Sequence, residues 1–95
     1  HWTIEGAQTS QFENHLRAVV GWPLGPTGAI GCSAMLNLIG TTPDTAAVLA
    51  LPDTHLHLYG KTPRRGRKLG HVTLRADDAE AALRRLAEAR RVACQ

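Results

Sequence analysis

Residues 54–75, THLHLYGKTPRRGRKLGHVTLR, decide the fold because they predict a β-hairpin. From Thr54 to Tyr59, His55 and His57 fall on one side of the chain and two leucines fall on the other. Alternation with period two is typical of a strand that is buried on one face. The first half of the stretch is therefore predicted to be a half-buried strand.

The second half of the stretch predicts a turn and a returning strand. Gly60 to Gly66 contains Pro63 and three cations, which favours a turn. Arg67 to Arg75 resumes apolar spacing, and Gly70 within it suggests a β-bulge. We expect a hairpin with a basic tip.

A helix is predicted upstream, over Ser10–Val20. Ser10 and Glu13 have the spacing of a capping box, in which each side chain satisfies an exposed backbone donor. Gly21 offers a left-handed cap, and Pro23 cannot continue the helix.

The segments around this helix are less regular. Residues 1–9 predict a short extended segment or turn, and residues 21–32 are rich in Gly and Pro and predict a loop. The stretch Ser33–Ile39 predicts a strand. It is apolar on both faces except at Asn37, so we expect it to be central or covered.

Two further helices complete the predicted architecture. Residues 41–51 begin with a helix-start signal and end at Pro52, which predicts a helix of two or three turns. Asp77 or Asp78 begins the terminal helix, with acids early and arginines late, as the helix dipole favours. The predicted fold class is α+β with a small antiparallel sheet.

Composition excludes several classes of protein. Of the 95 residues, 43% are hydrophobic and 20% charged, which is typical of a globular domain and excludes disorder or a fibre. No apolar run approaches the roughly 20 residues of a membrane helix, and no secretion signal is visible. The chain opens with His1 and no Met, so we expect a piece of a longer protein. Cys32 and Cys94 are interpreted as free thiols in a reducing cytoplasm.

The basic turn is the strongest indication of a binding site. Between Lys61 and Arg75 the sequence has no acid and six cations: Lys61, Arg64, Arg65, Arg67, Lys68 and Arg75. Such a patch favours an anionic partner, and a phosphate needs convergent donors of this kind. Arg67 and Lys68 point to opposite faces of a strand unless the bulge or the turn re-aims one. The plain alternative is a hairpin tip that only aids solubility.

Other chemistry is weakly supported. His55 and His57 could chelate zinc with His71 as a third ligand, but no acid or Cys nearby completes the set. We therefore expect structural histidines and no metal site. Since neither a nucleophile–base pair nor a rigid pair of acids is visible, the chain is interpreted as a binding piece rather than a complete catalyst.

Long ungapped stretches carry a resemblance to a known family. They are WTIEGA (2–7), TSQFENHLRAV (9–19), GWPLG (21–25), MLNLIG (35–40), HLHLYGK (55–61) and RRGRKLGHVT (64–73). They occur in the order found in the 5-(carboxyamino)imidazole ribonucleotide synthetases, and the chain closely resembles that family as far as about Arg75. These enzymes are the ATPase subunits of phosphoribosylaminoimidazole carboxylase, ATP-grasp ligases of purine biosynthesis. The family commonly has Pro where this chain has Arg65.

The resemblance implies a particular arrangement and activity. Residues 1–25 would be the tail of an ATP-grasp body, and residues 26–95 a small β-rich C-terminal domain with a hybrid-motif-like sheet. The full-length enzyme would use ATP and Mg²⁺, bound mostly upstream, and the fragment alone would need no cofactor and would be inactive. Bicarbonate would attack ATP to give carboxyphosphate, and 5-aminoimidazole ribonucleotide would then be carboxylated. A cytoplasmic homodimer is implied, with no nucleic acid or membrane as a partner.

The resemblance also implies site residues. The 5′-phosphate of the ribonucleotide suits the basic turn, so Lys61, Arg64, Arg67 and Lys68 are the predicted phosphate ligands. His1 is a candidate for a place near the imidazole or bicarbonate.

Gln11, Asn14 and His15 are expected to hold the first helix and its junction rather than to bind ligand.

Two alternative functions stay open at this point. One is a free-standing module that binds a phosphorylated metabolite, and the other is a hairpin that binds nucleic acid. The nucleic-acid hypothesis lacks stacking aromatics, because only Tyr59 adjoins the patch.

Overall fold

The computed structural model describes residues 1–93 and shows a three-stranded antiparallel sheet with helices around it. The strand order is β1-β3-β2. The elements are α1 (Thr3–Gly6), α2 (Gln11–Val19), β1 (Cys32–Ile39), α3 (Thr45–Leu49), β2 (Thr54–Leu58), β3 (Lys68–Ala76) and α4 (Ala79–Ala93). The α+β prediction is confirmed.

The centre of the molecule is β3, which pairs with both other strands. Val72 and Leu74 on this strand are almost fully buried. Leu74 packs with Ala82 and Ala89 of α4, whose small side chains let the helix lie close to the sheet. Apolar burial of this kind is the main force that holds such a small domain together.

The predicted hairpin is confirmed, and Gly70 makes it possible. Leu58 lies opposite Gly70, and a Cβ at this glycine would overlap the backbone carbonyl of His57. On the other side of β3 the register shifts between Leu38 and Ile39, so β3 contains the extra residue of a bulge. The bulge lies next to Gly70, as the sequence predicts.

Of the two predicted places for β1, central or covered, the structure shows the second, because this strand lies at the edge of the sheet and is covered on one face. Its alternate residues Cys32, Ala34 and Leu36 pack against the cores on the α4 side. The helix therefore covers one face, and the apolar run reflects that cover rather than two neighbouring strands. The Cys32 thiol is free among residues 1–93, as expected, whereas Cys94 lies outside the described residues.

The first predicted helix is confirmed as α2. The Ser10 hydroxyl accepts a hydrogen bond from the Glu13 amide at 3.0 Å, which caps the N-terminus. At the other end, Gly21 has a φ of 76°, and the amide of Trp22 donates to the Arg17 carbonyl at 2.8 Å. This is a Schellman ending, for which glycine is the favoured residue.

The starts of α3 and α4 are also capped by side chains. Asp44 accepts a hydrogen bond from the Ala46 amide at 3.1 Å, and Asp78 accepts one from the Ala81 amide at 2.8 Å. Asp78 rather than Asp77 therefore begins the terminal helix. No helix within residues 1–93 is long and apolar enough to span a membrane.

Residues 1–9 differ from the prediction because they contain the one-turn helix α1. This turn is held against the loop that precedes β1. The Gly6 carbonyl accepts from the Ile30 amide at 2.7 Å, and the Gln8 amide donates to the Gly28 carbonyl at 2.9 Å. Local patterns in the sequence do not predict α1, because these partners are twenty or more residues away.

The junction roles predicted for α2 are confirmed for two residues. The Asn14 amide group exchanges two hydrogen bonds with the backbone of Gly25, at 2.9 and 3.2 Å. The backbone amide of Gln11 donates to the Thr3 hydroxyl at 3.2 Å. His15 is exposed on the helix surface, so its assignment to the junction stays a prediction.

We predict that Leu74→Ala lowers the free energy of unfolding by about 2–5 kcal/mol, because it leaves a cavity between β3 and α4. Leu83→Ala is the matched control, since Leu83 is 66% exposed and Leu74 is 1% exposed. We expect the control to change stability by less than about 0.5 kcal/mol. Urea unfolding followed by circular dichroism measures both, and equal losses would contradict this account of the core.

Candidate functional site

The basic turn that joins β2 to β3 has a defined backbone. The Arg67 amide donates to the Arg64 carbonyl at 3.0 Å, and Gly66 between them has a φ of 74°. A residue with positive φ at this place in a four-residue turn is favoured to be glycine. Gly60, with a φ of 71°, begins the loop just after β2.

Two of the predicted phosphate ligands, Lys61 and Lys68, lie beside the ring of Tyr59. The Nζ of Lys61 lies 5.5 Å from the centre of the Tyr59 ring, and the Nζ of Lys68 lies 5.9 Å from it. Within about 6 Å, an aromatic ring attracts an ammonium group. Tyr59 itself is fixed to β3 by its amide, which donates to the Leu69 carbonyl at 2.9 Å.

The arginines of the turn have other surroundings. Arg67 donates from Nη1 to the Thr62 carbonyl at 3.3 Å, and Arg64 is exposed at the tip. Arg75, counted in the patch by sequence, is engaged elsewhere. Its guanidinium donates to Asp53 at 3.1 and 3.2 Å and to the Glu5 carbonyl at 3.2 Å.

His1 lies against the face of the sheet that carries His71. Its terminal ammonium nitrogen lies 3.3 Å from Nε2 of His71. The strand register places His71 directly opposite His57, and paired residues of antiparallel strands project to the same face.

A polar cluster, formed by Glu5, His57, His71 and Tyr59, lies beside the two lysines. Glu5 Oε1 is 2.7 Å from His57 Nε2, and the Tyr59 hydroxyl is 2.6 Å from His71 Nδ1. The two imidazole rings stack with their centres 4.6 Å apart. Sequence reasoning expected no acid near these histidines. It missed Glu5 because α1 brings that residue from the far end of the chain.

Burial makes His71 a neutral group near pH 7. Its side chain is almost inaccessible, and desolvation is the largest cause that lowers its pKa from 6.5 to about 4. The ammonium of residue 1, His57 and Lys68 lower it further, whereas Glu5 acts in the opposite direction.

The same cluster does not have the geometry of a metal site. One donor atom each from Glu5, His57 and His71 lie within 4.8 Å of one another. However, imidazole lone pairs lie in the ring plane, and the two stacked rings are inclined by only 21°. Their lone pairs therefore do not converge on one point, as tetrahedral zinc requires, and the Glu5 oxygen is already bonded to His57.

Comparison with known families gives this site a context. The family model described as phosphoribosylaminoimidazole carboxylase C-terminal domain matches residues 33–85, more than half of the chain. The chain belongs to this family. The resemblance found in the sequence is confirmed.

Relatives of the family match both the sequence and the fold. A Pseudomonas aeruginosa N5-carboxyaminoimidazole ribonucleotide synthase is 60% identical over 88 residues, covering 93% of this chain and 24% of the relative. The crystal structure of the Thermus thermophilus synthetase is 58% identical in sequence, with a TM-score of 0.93. The match covers 100% of this chain and 26% of the Thermus chain.

A third relative was solved with ligands. The Aspergillus clavatus synthase, in complex with ADP and 5-aminoimidazole ribonucleotide, is 36% identical with a TM-score of 0.86. The match covers 100% of this chain and 28% of the Aspergillus chain. The chain thus spans about a quarter of the length of the relatives it matches.

We predict that stability falls as the pH drops from 6.5 towards 4. The pKa of His71 is about 4 in the folded chain and near 6.5 in the unfolded chain. The unfolded chain therefore binds more protons in this window, and protonation favours unfolding by up to about 1.4 kcal/mol per pH unit.

Urea unfolding at several pH values tests this prediction. His71→Asn is expected to flatten the pH dependence between 4 and 6.5, whereas His15→Asn, on the exposed face of α2, is expected to retain it. An unchanged slope in His71→Asn would show that His71 is not held neutral by the fold.

Proposed function

We propose that this chain is the C-terminal part of an N5-carboxyaminoimidazole ribonucleotide synthase and that its basic turn helps to bind the phosphate of 5-aminoimidazole ribonucleotide. Family membership supports the first part of this proposal. The convergence of Lys61 and Lys68 on Tyr59 is the observation that carries the second.

The chemistry of the turn fits a phosphate monoester. Such a group carries nearly two negative charges and several acceptor oxygens, so it needs more than one cationic donor. Lys61 and Lys68 supply two ammonium groups with three donors each. Arg67 uses one donor on the Thr62 carbonyl and keeps others, and Arg64 is exposed beside it. In this proposal all four residues contact the phosphate, and His1 lies nearer the imidazole or bicarbonate.

The bulge in β3 supports the idea that Arg67 and Lys68 serve one ligand. In a regular strand these neighbours point to opposite faces. Here Arg67 precedes β3, inside the turn, and Lys68 begins a strand whose first residues form the bulge. The alternation of faces is interrupted at this place, and Lys68 lies beside the Tyr59 ring, as Lys61 does.

In the complete synthase the reaction would need further parts. Bicarbonate would attack the terminal phosphate of ATP, releasing ADP and forming carboxyphosphate. The amine of the ribonucleotide would then take up the carboxyl group and release phosphate. ATP and Mg²⁺ would be held mostly in the part of the synthase that lies outside this chain, which spans about a quarter of its relatives. This segment would bind and orient the ribonucleotide.

The arrangement of the longer protein is part of the same proposal. Residues 1–25 would be the tail of an ATP-grasp body and residues 26–95 the small C-terminal domain. The absence of any buried residue on α2 among residues 1–93 supports this division, since an ATP-grasp body would offer a surface for that helix to pack against. We further propose a homodimer that acts in the cytoplasm, where nucleotide precursors are made.

A grafted enzyme tests the function. In it, the matching region of the Pseudomonas aeruginosa synthase is replaced by this chain, and ATP-dependent carboxylation of 5-aminoimidazole ribonucleotide is measured. We predict activity, and we predict that Lys61→Ala or Lys68→Ala raises the KM for the ribonucleotide roughly 10- to 100-fold. Losing a hydrogen bond to a charged group costs about 1.5–3 kcal/mol.

The control removes the same charge elsewhere. Arg91→Ala, at the exposed end of α4, should leave the KM for the ribonucleotide unchanged, and all three variants should keep the KM for ATP. A folded but inactive graft would contradict the proposed enzyme. An active graft in which the lysine variants retain the parental KM would contradict the phosphate site alone.

A further inference from the structure

The polar cluster of Glu5, His57, His71 and Tyr59 is connected to the predicted phosphate site through a single ring. The Tyr59 hydroxyl bonds to His71, which is 2% exposed, while the two lysine ammonium groups lie about the same ring. The ring is therefore anchored at its buried end and contacts the cations elsewhere on its surface.

The direction of the hydrogen bond at the hydroxyl follows from the groups around His71. The backbone nitrogen of residue 1 lies 3.3 Å from Nε2 and, whether as an amide or as an amine that carries its proton, can only donate, so Nε2 must accept. A neutral imidazole carries one hydrogen, which then lies on Nδ1, and Nδ1 donates to the Tyr59 oxygen at 2.6 Å.

The other side of His71 is held as well. Its ring stacks on His57, whose Nε2 donates to the Glu5 carboxylate at 2.7 Å. The Glu5 side chain is only 10% exposed, and Arg75 fixes the Glu5 backbone through its carbonyl. His71 is thus enclosed by fixed partners and cannot turn its ring without breaking a buried hydrogen bond.

We propose that His71 is a positioning residue that locks the Tyr59 ring and thereby holds Lys61 and Lys68 in place to receive the substrate phosphate. This inference rests on the proposed function. Free lysine side chains lose rotamer freedom when they grip a ligand, and a surface that orders them beforehand removes part of that loss.

The substitutions at His71 form a matched pair. The side-chain amide of Asn can occupy the position of Nδ1 and donate to Tyr59, whereas the longer Gln places its amide nearer the position of Nε2. In the grafted enzyme we expect His71→Gln to raise the KM for 5-aminoimidazole ribonucleotide roughly tenfold, the effect of releasing two ordered side chains. His71→Asn should raise it less.

Tyr59→Phe tests the same contact from the other partner. It keeps the ring and removes the oxygen that accepts from Nδ1, so we expect a rise in KM similar to that of His71→Gln. Inhibition by ribose 5-phosphate should weaken in parallel. The KM for ATP should stay at the parental value in all three variants, which a general loss of structure would not allow. If His71→Gln does not fold, the KM of Tyr59→Phe for the ribonucleotide tests the positioning role instead.

The outcomes separate this inference from the proposed function. If the lysine variants raise the KM for the ribonucleotide but Tyr59→Phe and both His71 variants do not, the positioning role is overturned and the phosphate site stands. If the His71 and Tyr59 variants raise the KM for ATP equally, their role is structural and the inference is overturned. If the lysine variants have no effect, the phosphate site is wrong and the inference falls with it.

Discussion

The close approach of β2 to β3 at Gly70 is the constraint on which the rest of the structure depends. A side chain at this position would overlap the backbone carbonyl of His57, so only glycine lets the two strands pair here. That pairing sets His57 against His71 and joins the Tyr59 amide to the Leu69 carbonyl. The stacked imidazoles and the placement of the Tyr59 ring both follow from it.

Local patterns in the sequence were sufficient for the elements whose stabilising contacts are near in the chain. The helix α2 has its cap at Ser10 and its ending at Gly21, and the hairpin strands have their alternation, so each was predicted to within a residue or two. The bulge was also predicted, because a glycine inside a strand is a local signal.

The features that the sequence did not reveal depend on distant partners. Glu5 joins the histidines because α1 folds back over the sheet, and its hydrogen bond to His57 spans more than fifty residues. The edge position of β1 could not be deduced from its apolar run, since cover by α4 and cover by a second strand produce the same pattern. The count of charges likewise grouped Arg75 with the turn, whereas in the fold its guanidinium donates to the Asp53 carboxylate.

These distant contacts also explain how a small sheet can carry a buried polar cluster. A polar atom without a partner in the interior costs about 1–3 kcal/mol, so a half-satisfied cluster would weaken the domain. Here His57 is matched by Glu5, and both ring nitrogens of His71 have partners. Because these hydrogen bonds join residues of different elements, the cluster fixes α1 and both hairpin strands relative to one another. The turn is therefore held at its base by a rigid unit, while its tip, at Arg64, is exposed.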